Sequence, residues 1–401
     1  MIRDSEIVTS LKNLENYVKV NNYSGFDPYD ALNSTIVNSL DSRFIKLIST
    51  QLLVYSPINP RNFLRIEPGK NPKAIGIFLQ AYCKLFTHHL IEKKEFDIIE
   101  KKLVEFLIKN VSPGHSGACW GFNFNWQDLE RYSKKELPTI VVTSFIANAF
   151  LDLYELTKNE KYLEIARSSC EFILKDLNIT RTDKGICFSY TPIDNYIVHN
   201  ANALGAALLA RVYFLTKEDI LLDNAKHAFD FLISYQANNG SWAYSIDMNE
   251  KRERHQIDFH QGFILDTLCN YLLYTNSQDE KHIEAVLKGS EFYITKQFNP
   301  SGYSYWRLPH KWPVDIHNQT QGIITGCKLY NFFKQKKYLD FSMQIVDWTL
   351  KNMQDPTGYF YYQKWPLITN KIPYMRWGQA WMMLALSEYL SHSTRGQSHE
   401  I

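Results

Sequence analysis

The chain has 401 residues, 45% apolar and 21% charged, with a formal net charge of +2. That balance is ordinary for a globular protein and gives no electrostatic reason to expect nucleic acid or a membrane surface as a partner. No apolar run reaches the roughly 18 residues of a membrane span, and the first residues lack the apolar core of a secretory signal, so a cytoplasmic location without stable membrane insertion is expected. Six dispersed cysteines without a Cys-x-x-Cys pair read as buried, reduced thiols. No Gly/Ser/Pro-rich linker interrupts residues 1–401, which predicts a single domain.

In chain order, residues 4–20 predict an amphipathic helix, and Tyr23-Ser-Gly-Phe-Asp-Pro-Tyr-Asp-Ala-Leu-Asn33 a turn-rich segment; residues 1–40 thus read as a lead-in. From there, helices apolar on one side alternate with helices apolar nearly all round. The one-sided set is predicted near 42–54, 94–110, 160–176, 221–232, 281–297 and 337–353. In the fourth of these, Leu221, Ala225, Ala228, Phe229 and Leu232 recur at helical spacing, with Asp223, Asn224, Lys226 and Asp230 opposite. The richer apolar runs lie near 72–87, 139–156, 198–216, 259–275, 317–334 and 376–391.

The connections repeat too. Gly185, Gly240, Gly302 and Gly358 each sit in a turn followed by aromatic or small strand-like residues, and a second glycine follows 20, 22, 20 and 20 residues later, at Gly205, Gly262, Gly322 and Gly378. A unit of about 60 residues recurring about six times is the signature of a repeat architecture. The predicted fold is all-α, an (α/α)6 toroid or six-hairpin barrel, with short aromatic β-hairpins in the loops on one face. Inner-helix N-termini then open onto that face.

Two inner helices begin with Asp-x-His, at Asp258-Phe-His260 and Asp315-Ile-His317. An aspartate at this place reads equally as a helix cap and as an acid/base group, because a helix N-terminus favours a carboxylate in either role. Asp258, His260, Asp315 and His317 are the candidate acid/base group. Arg254, Arg376 and Gln379 are candidates to orient a substrate, and Trp120, Trp242 and Tyr305 to stack on it. His199, Asn202, Gln261 and Gln319 complete the predicted polar mouth. Amides, carboxylates and imidazoles beside flat aromatic surfaces suit a sugar, whose hydroxyls need paired donors and acceptors and whose apolar ring faces stack on indole and phenol. Half of the hairpin aromatics are expected to serve packing instead.

Gln236-Ala-Asn-Asn-Gly240-Ser-Trp242 resembles the Gln-x-x-x-Gly-x-Trp repeat of squalene-cyclase and prenyltransferase-like toroids, with looser copies at Gln297–Gly302 and Gln354–Gly358; the Asp-x-Asp-Asp and Asp-Asp-x-x-Asp acid motifs of those enzymes are missing. Arg376-Trp-Gly-Gln-Ala-Trp381 resembles the Arg-Gly-Gln-Ala-Trp segment of unsaturated glucuronyl hydrolases, six-hairpin glycosidases, with a tryptophan inserted after Arg376. The Phe-Asp-Pro-Tyr-Asp-Ala-Leu-Asn, Cys-Trp-Gly-Phe and Asp-Phe-His-Gln-Gly segments are similar to little-characterised proteins of surface-polysaccharide synthesis. These likenesses imply a toroid that acts on a sugar, with a uronic acid among the candidates.

The resulting expectation is a carbohydrate-active enzyme using acid/base chemistry, by hydrolysis, β-elimination or epimerisation, without a cofactor. A non-catalytic glycan-binding or scaffold protein is the alternative from another class. A zinc-dependent toroid resembling lanthionine synthetases, suggested by Cys119, Cys187 and nearby histidines, is the third; the absence of His-Glu-x-x-His and of cysteine ligand spacing weighs against it.

Overall fold

The computed structural model describes residues 3–40, 42–127, 132–248, 250 and 252–393. The helices are α1 (Asp4–Val20), α2 (Thr35–Asn38), α3 (Arg43–Tyr55), α4 (Pro72–Thr87), α5 (Lys93–Lys109), α6 (Ile140–Thr157), α7 (Glu160–Glu171), α8 (His199–Thr216), α9 (Asp219–Ser234), α10 (His260–Thr275), α11 (Glu280–Gln297), α12 (Ile316–Phe333), α13 (Lys336–Met353) and α14 (Trp381–Ser393). A π-helical turn, Met375–Ala380, leads into α14, and another, Phe172–Asp176, extends α7.

Helices α4, α6, α8, α10, α12 and α14 each pack on the next, and α14 returns to α4, closing an inner ring. Each is backed by an amphipathic outer helix: α5, α7, α9, α11, α13 and, against α14, α1. This is the (α/α)6 toroid expected from the repeat. Inner helices are buried on nearly every side, so their sequences carry no strong polar face; α8 alone buries fourteen consecutive residues, His199 to Val212. Helix α6 has the length and apolarity of a membrane span, but 67% of it is buried within the ring, which accounts for its composition.

The polarity of the hairpins follows from their turns. Lys158, Lys217, Asn276 and Lys334 end inner helices in the left-handed conformation, with φ between 50° and 61°, and send the chain straight back into the outer helix. Outer helices instead lead to the next inner helix through long loops, all on the opposite face. Those loops carry glycine where backbone touches backbone: Gly240 has φ +93°, and a Cβ there would lie 2.3 Å from the Lys288 carbonyl oxygen on α11.

One expectation requires correction. The amphipathic stretch near 42–54 is not an outer ring helix, and residues 4–20 are no mere lead-in. Helix α1 buries Ile7, Leu11, Leu14 and Val18 against the ring. The loop after α13 also docks on it: Ser10 Oγ donates to Gln354 Oε1 at 2.7 Å, and Gln354 Nε2 donates to the Ser10 carbonyl at 3.2 Å. The chain therefore begins with an outer helix and closes the ring with its last inner one. Helix α3 lies across the loop face instead, burying only Thr50, Leu53 and Val54. Both segments are amphipathic; periodicity shows that a helix has an apolar side, and says nothing of what covers it.

Candidate active site

On the loop face, the first turns of the inner helices surround a cavity of about 1320 Å³. Lys73 of α4, Val141 of α6, Asn200 of α8, His260 of α10, His317 of α12 and Arg376 of the last π-helical turn reach it from the six units in succession. Leu47, Gln51, Val54 and Tyr55 of α3 contribute to its outer wall.

The geometry around the two Asp-x-His segments is specific. Asp258 Oδ1 accepts from the His260 backbone N–H at 3.2 Å and from His260 Nδ1 at 2.5 Å, and its Oδ2 accepts from Gln256 Nε2 at 2.9 Å. Burial opposes ionisation of Asp258, but His260 and then Arg307, 3.5 Å away, hold the carboxyl below its ordinary value. With Nδ1–H given to the carboxylate, His260 keeps Nε2 for the cavity.

His317 has the same arrangement with a different partner. Its Nδ1 lies 3.1 Å from the Trp377 carbonyl, which can only accept, so Nδ1 carries the proton and Nε2 is the basic nitrogen. Burial, reinforced by the positive charge of Lys73 and opposed only in part by that carbonyl, keeps the imidazole neutral, well below its ordinary range. The Phe259 ring separates the two histidines, 4.1 Å from His260 and 4.3 Å from His317 between centroids, and Trp377 stacks on His317 at 4.6 Å.

Asp315 is a cap. Its Oδ1 accepts from the His317 backbone N–H at 2.9 Å and from Trp377 Nε1 at 3.0 Å, and its Oδ2 from Gln363 Nε2 at 2.8 Å. The strand Val314–Asp315 pairs with Gln363–Lys364, with Asp315 opposite Gln363, which sets this contact. Burial outweighs these donors and pushes the carboxyl up to about 6 from an ordinary 3.8. The folded chain thus holds a proton that the unfolded chain has lost between these values. Asp315 therefore contributes stability below pH about 4, and that contribution is lost as pH rises through about 6. Asp315→Asn is expected to flatten this part of the pH profile in denaturant titrations between pH 4 and 7; an unchanged slope would contradict the assignment.

Of the predicted site residues, Asp258, His260, Asp315, His317, Arg254 and Arg376 line the cavity. The others do not. Trp120 and Trp242 are fully buried wedges, their indole N–H groups donating to the Leu107 and Leu232 carbonyls of the preceding outer helices at 2.8 and 3.1 Å. Tyr305 packs near Tyr303 outside the cavity. His199 is buried, giving Nδ1–H to the Ala243 carbonyl at 2.7 Å.

The amides prove to be staples. Gln261 Oε1 accepts from the Trp242 N–H and its Nε2 donates to the Trp242 carbonyl, both at 2.8 Å, and Gln379 grips Phe360 in the same way at the same distances. Gln319 accepts from the Ser304 N–H at 2.6 Å, and Asn202 from the Phe188 N–H at 3.0 Å. Each ties a hairpin to the inner helix that follows, because a loop packed on a ring core must satisfy its backbone groups there. Gln261→Ala is expected to cost about 1–3 kcal/mol by leaving both Trp242 backbone groups unpaired; a shift in the denaturant midpoint would measure it.

The residues missed from the sequence are Lys73, Tyr29, Phe259 and Trp377; Asn200, Trp126 and Trp306, expected at the mouth from their place in the loops and helix entrances, line the cavity beside them. A register signal existed for Lys73: it is the second residue of α4, as His317 is of α12. Trp377 is the tryptophan inserted into Arg376-Trp-Gly-Gln-Ala-Trp381, and it contacts both Asp315 and His317. Arg376 is bound bidentately to Asp27, its Nε at 2.6 Å and Nη2 at 2.7 Å from the two oxygens. Cys119 and Cys187 are buried in separate loops, and no group of three His, Cys, Asp or Glu among the described residues could hold a metal, so the zinc alternative has no ligand set there.

A closed ring of six helical hairpins, with its cavity at the inner-helix N-termini, defines the class of the protein. No known family profile matches the chain, and no curated protein matches it in sequence. Solved structures share the fold. A cellobiose 2-epimerase from Bacillus thermoamylovorans superposes with a TM-score of 0.62 at 13% identity, over 81% of this chain and 90% of that one. A GH76 α-mannanase from Bacteroides thetaiotaomicron gives 0.62 at 13% identity, over 84% and 90%. A possible member of the GH105 family from Salmonella enterica gives 0.63 at 12% identity, over 97% and 95%. At such identities the likeness establishes the toroid fold.

Proposed function

We propose that this protein is a sugar epimerase or isomerase, in which His260 and His317 move a proton at a carbon next to a carbonyl or carboxylate. One observation carries the reading: two imidazoles flank Phe259, each with Nδ1 tied to an acceptor and Nε2 left for the cavity, while both oxygens of Asp258 and of Asp315 already accept hydrogen bonds from the protein. Glycoside cleavage needs two carboxylates free to act as acid and as nucleophile or base. Here the carboxylates orient, and the imidazoles are the groups free to react.

In the proposed reaction, Nε2 of one histidine takes the proton from carbon, and the electron pair moves onto the adjacent oxygen. The other histidine, protonated at Nε2, returns a proton to the opposite face, and the stereocentre is inverted. Neutral His317 is suited to abstraction, and the Asp258 carboxylate, which accepts the Nδ1–H of His260, fixes the tautomer that leaves Nε2 for the cavity. The surrounding tryptophans and tyrosines supply stacking surface for a sugar ring. Kinship in fold with a cellobiose 2-epimerase supports this chemistry, and the resemblance to proteins of surface-polysaccharide synthesis supports a substrate from that metabolism, inside the cell.

The test is incubation of the purified protein with a panel of aldoses, uronic acids and short oligosaccharides in deuterated water, followed by proton NMR and mass spectrometry. Deuterium at one carbon without cleavage is the expected result. New reducing ends would replace the reading with hydrolysis, unsaturated products with elimination, and binding without exchange with the glycan-binding alternative.

A further inference from the structure

We propose that Lys73 is the receptor for an acidic group of the substrate, so that the cavity selects a sugar bearing a carboxylate or a phosphate. This rests on the cavity being the sugar-processing site. Lys73 is 5% exposed and enters the cavity from the first turn of α4. Its contacts are ring faces: Phe145 at 4.4 Å, Trp381 at 5.4 Å and Phe263 at 5.8 Å from Nζ to the centroids. An ammonium has three donors, and no acceptor or carboxylate among the described residues meets this one.

The neighbouring cations are committed. Arg376 gives two of its N–H groups to Asp27, and Arg307 sits beside Asp258. His317, which shares the Trp381 and Phe263 rings with Lys73 at 5.0 and 6.0 Å, donates its Nδ1–H to Trp377. Among the described residues Lys73 is therefore the buried cavity cation without a carboxylate partner; Arg254, which also lines the cavity and meets only Gln256 and the Tyr244 ring, is exposed to solvent. An amine buried in this way calls for an acceptor and, in its charged form, for an opposite charge; an acidic substrate supplies both, whereas a neutral hydroxyl supplies only the first.

Burial, reinforced by Arg376 and opposed only by Asp27, holds the Lys73 amine well below the ordinary lysine range. An anion bound beside it favours the charged form, so the fraction of the amine that is neutral at the working pH takes up a proton from solvent on binding.

The experiment is calorimetric titration with D-glucuronate, glucose 6-phosphate and D-glucose, in HEPES and in Tris at one pH, for the parent, Lys73→Met and Lys73→Arg. The parent is expected to bind one of the acids about tenfold or more tightly than glucose, with a buffer-dependent heat that reports proton uptake. Whichever acid is preferred separates a carboxylate from a phosphate. Lys73→Met is expected to lose the preference and the uptake while melting no lower than the parent, since it places an apolar chain among the same rings. Lys73→Arg keeps the preference without the uptake, because arginine is always charged. Equal affinity for glucose and both acids, a preference that survives in Lys73→Met, or no binding of either acid at millimolar concentration would each overturn the assignment. Deuterium exchange into a neutral sugar without acid preference would remove this inference and keep the epimerase reading. Lys73-dependent acid binding without exchange into any sugar would do the reverse.

Discussion

His317→Ala is expected to lower kcat by roughly 10²–10⁴-fold on the sugar that exchanges deuterium, the range for loss of a positioned acid/base group. Its Nε2 is the basic nitrogen of a neutral, buried imidazole, and alanine offers nothing in its place. His260→Ala is expected to have an effect of the same order, and the pair carries a sharper test than the rate alone. If the two imidazoles serve opposite faces of the carbon, each variant should still exchange the proton of one epimer and fail with the other. His317→Ala and His260→Ala should then differ in which epimer exchanges. Full turnover in both variants would sink the two-histidine mechanism. Asp258→Asn probes the same site indirectly, because an amide in contact with His260 Nδ1 no longer offers only acceptors and so no longer fixes the tautomer of the imidazole.

Asp27→Ala is expected to destabilise the protein by about 3–5 kcal/mol, the cost of leaving a buried partner charge uncompensated. Arg376 is 4% exposed, and both of its contacts with the carboxylate are short, 2.6 and 2.7 Å. Arg61 anchors the same segment, donating from Nε to Asp30 at 2.8 Å and from Nη2 to the Asp27 carbonyl at 2.7 Å. The two arginines hold residues 26–30 against the entry to α14, and Tyr29 of that segment lines the cavity against Trp377. Denaturant unfolding would measure the loss, and the double variant Asp27→Ala/Arg376→Met should recover part of it by removing the stranded charge. A cost below about 1 kcal/mol, the range of an exposed pair, would show that the contact is not the anchor described.

Much of the architecture was legible in the residues. All thirteen predicted helices form within about five positions of their expected bounds, because helical periodicity and glycines at turns are local properties. The loop face was legible for the same reason: the polar entrances of the apolar runs lie at one end of every hairpin. What periodicity left open was which amphipathic helix completes the ring. Helix α1 does so, and α3, with Phe44 70% and Leu52 65% exposed, lies over the loops; the difference lies in what each meets, not in its own pattern.

The polar residues divide along the same line. Gln261, Gln319, Gln379 and Asn202 have the composition of a sugar-binding mouth, yet their amides face hairpin backbone. His260 and His317 share their type and position with His199, which is buried against Ala243 outside the cavity. The sequence by itself determined the repeat, its helices and the end of the barrel at which chemistry could gather, since these follow from local spacing. Only the tertiary structure decided which groups at that end are already satisfied by the protein and which remain for a ligand, because that depends on partners tens to hundreds of residues away, as Arg376 depends on Asp27.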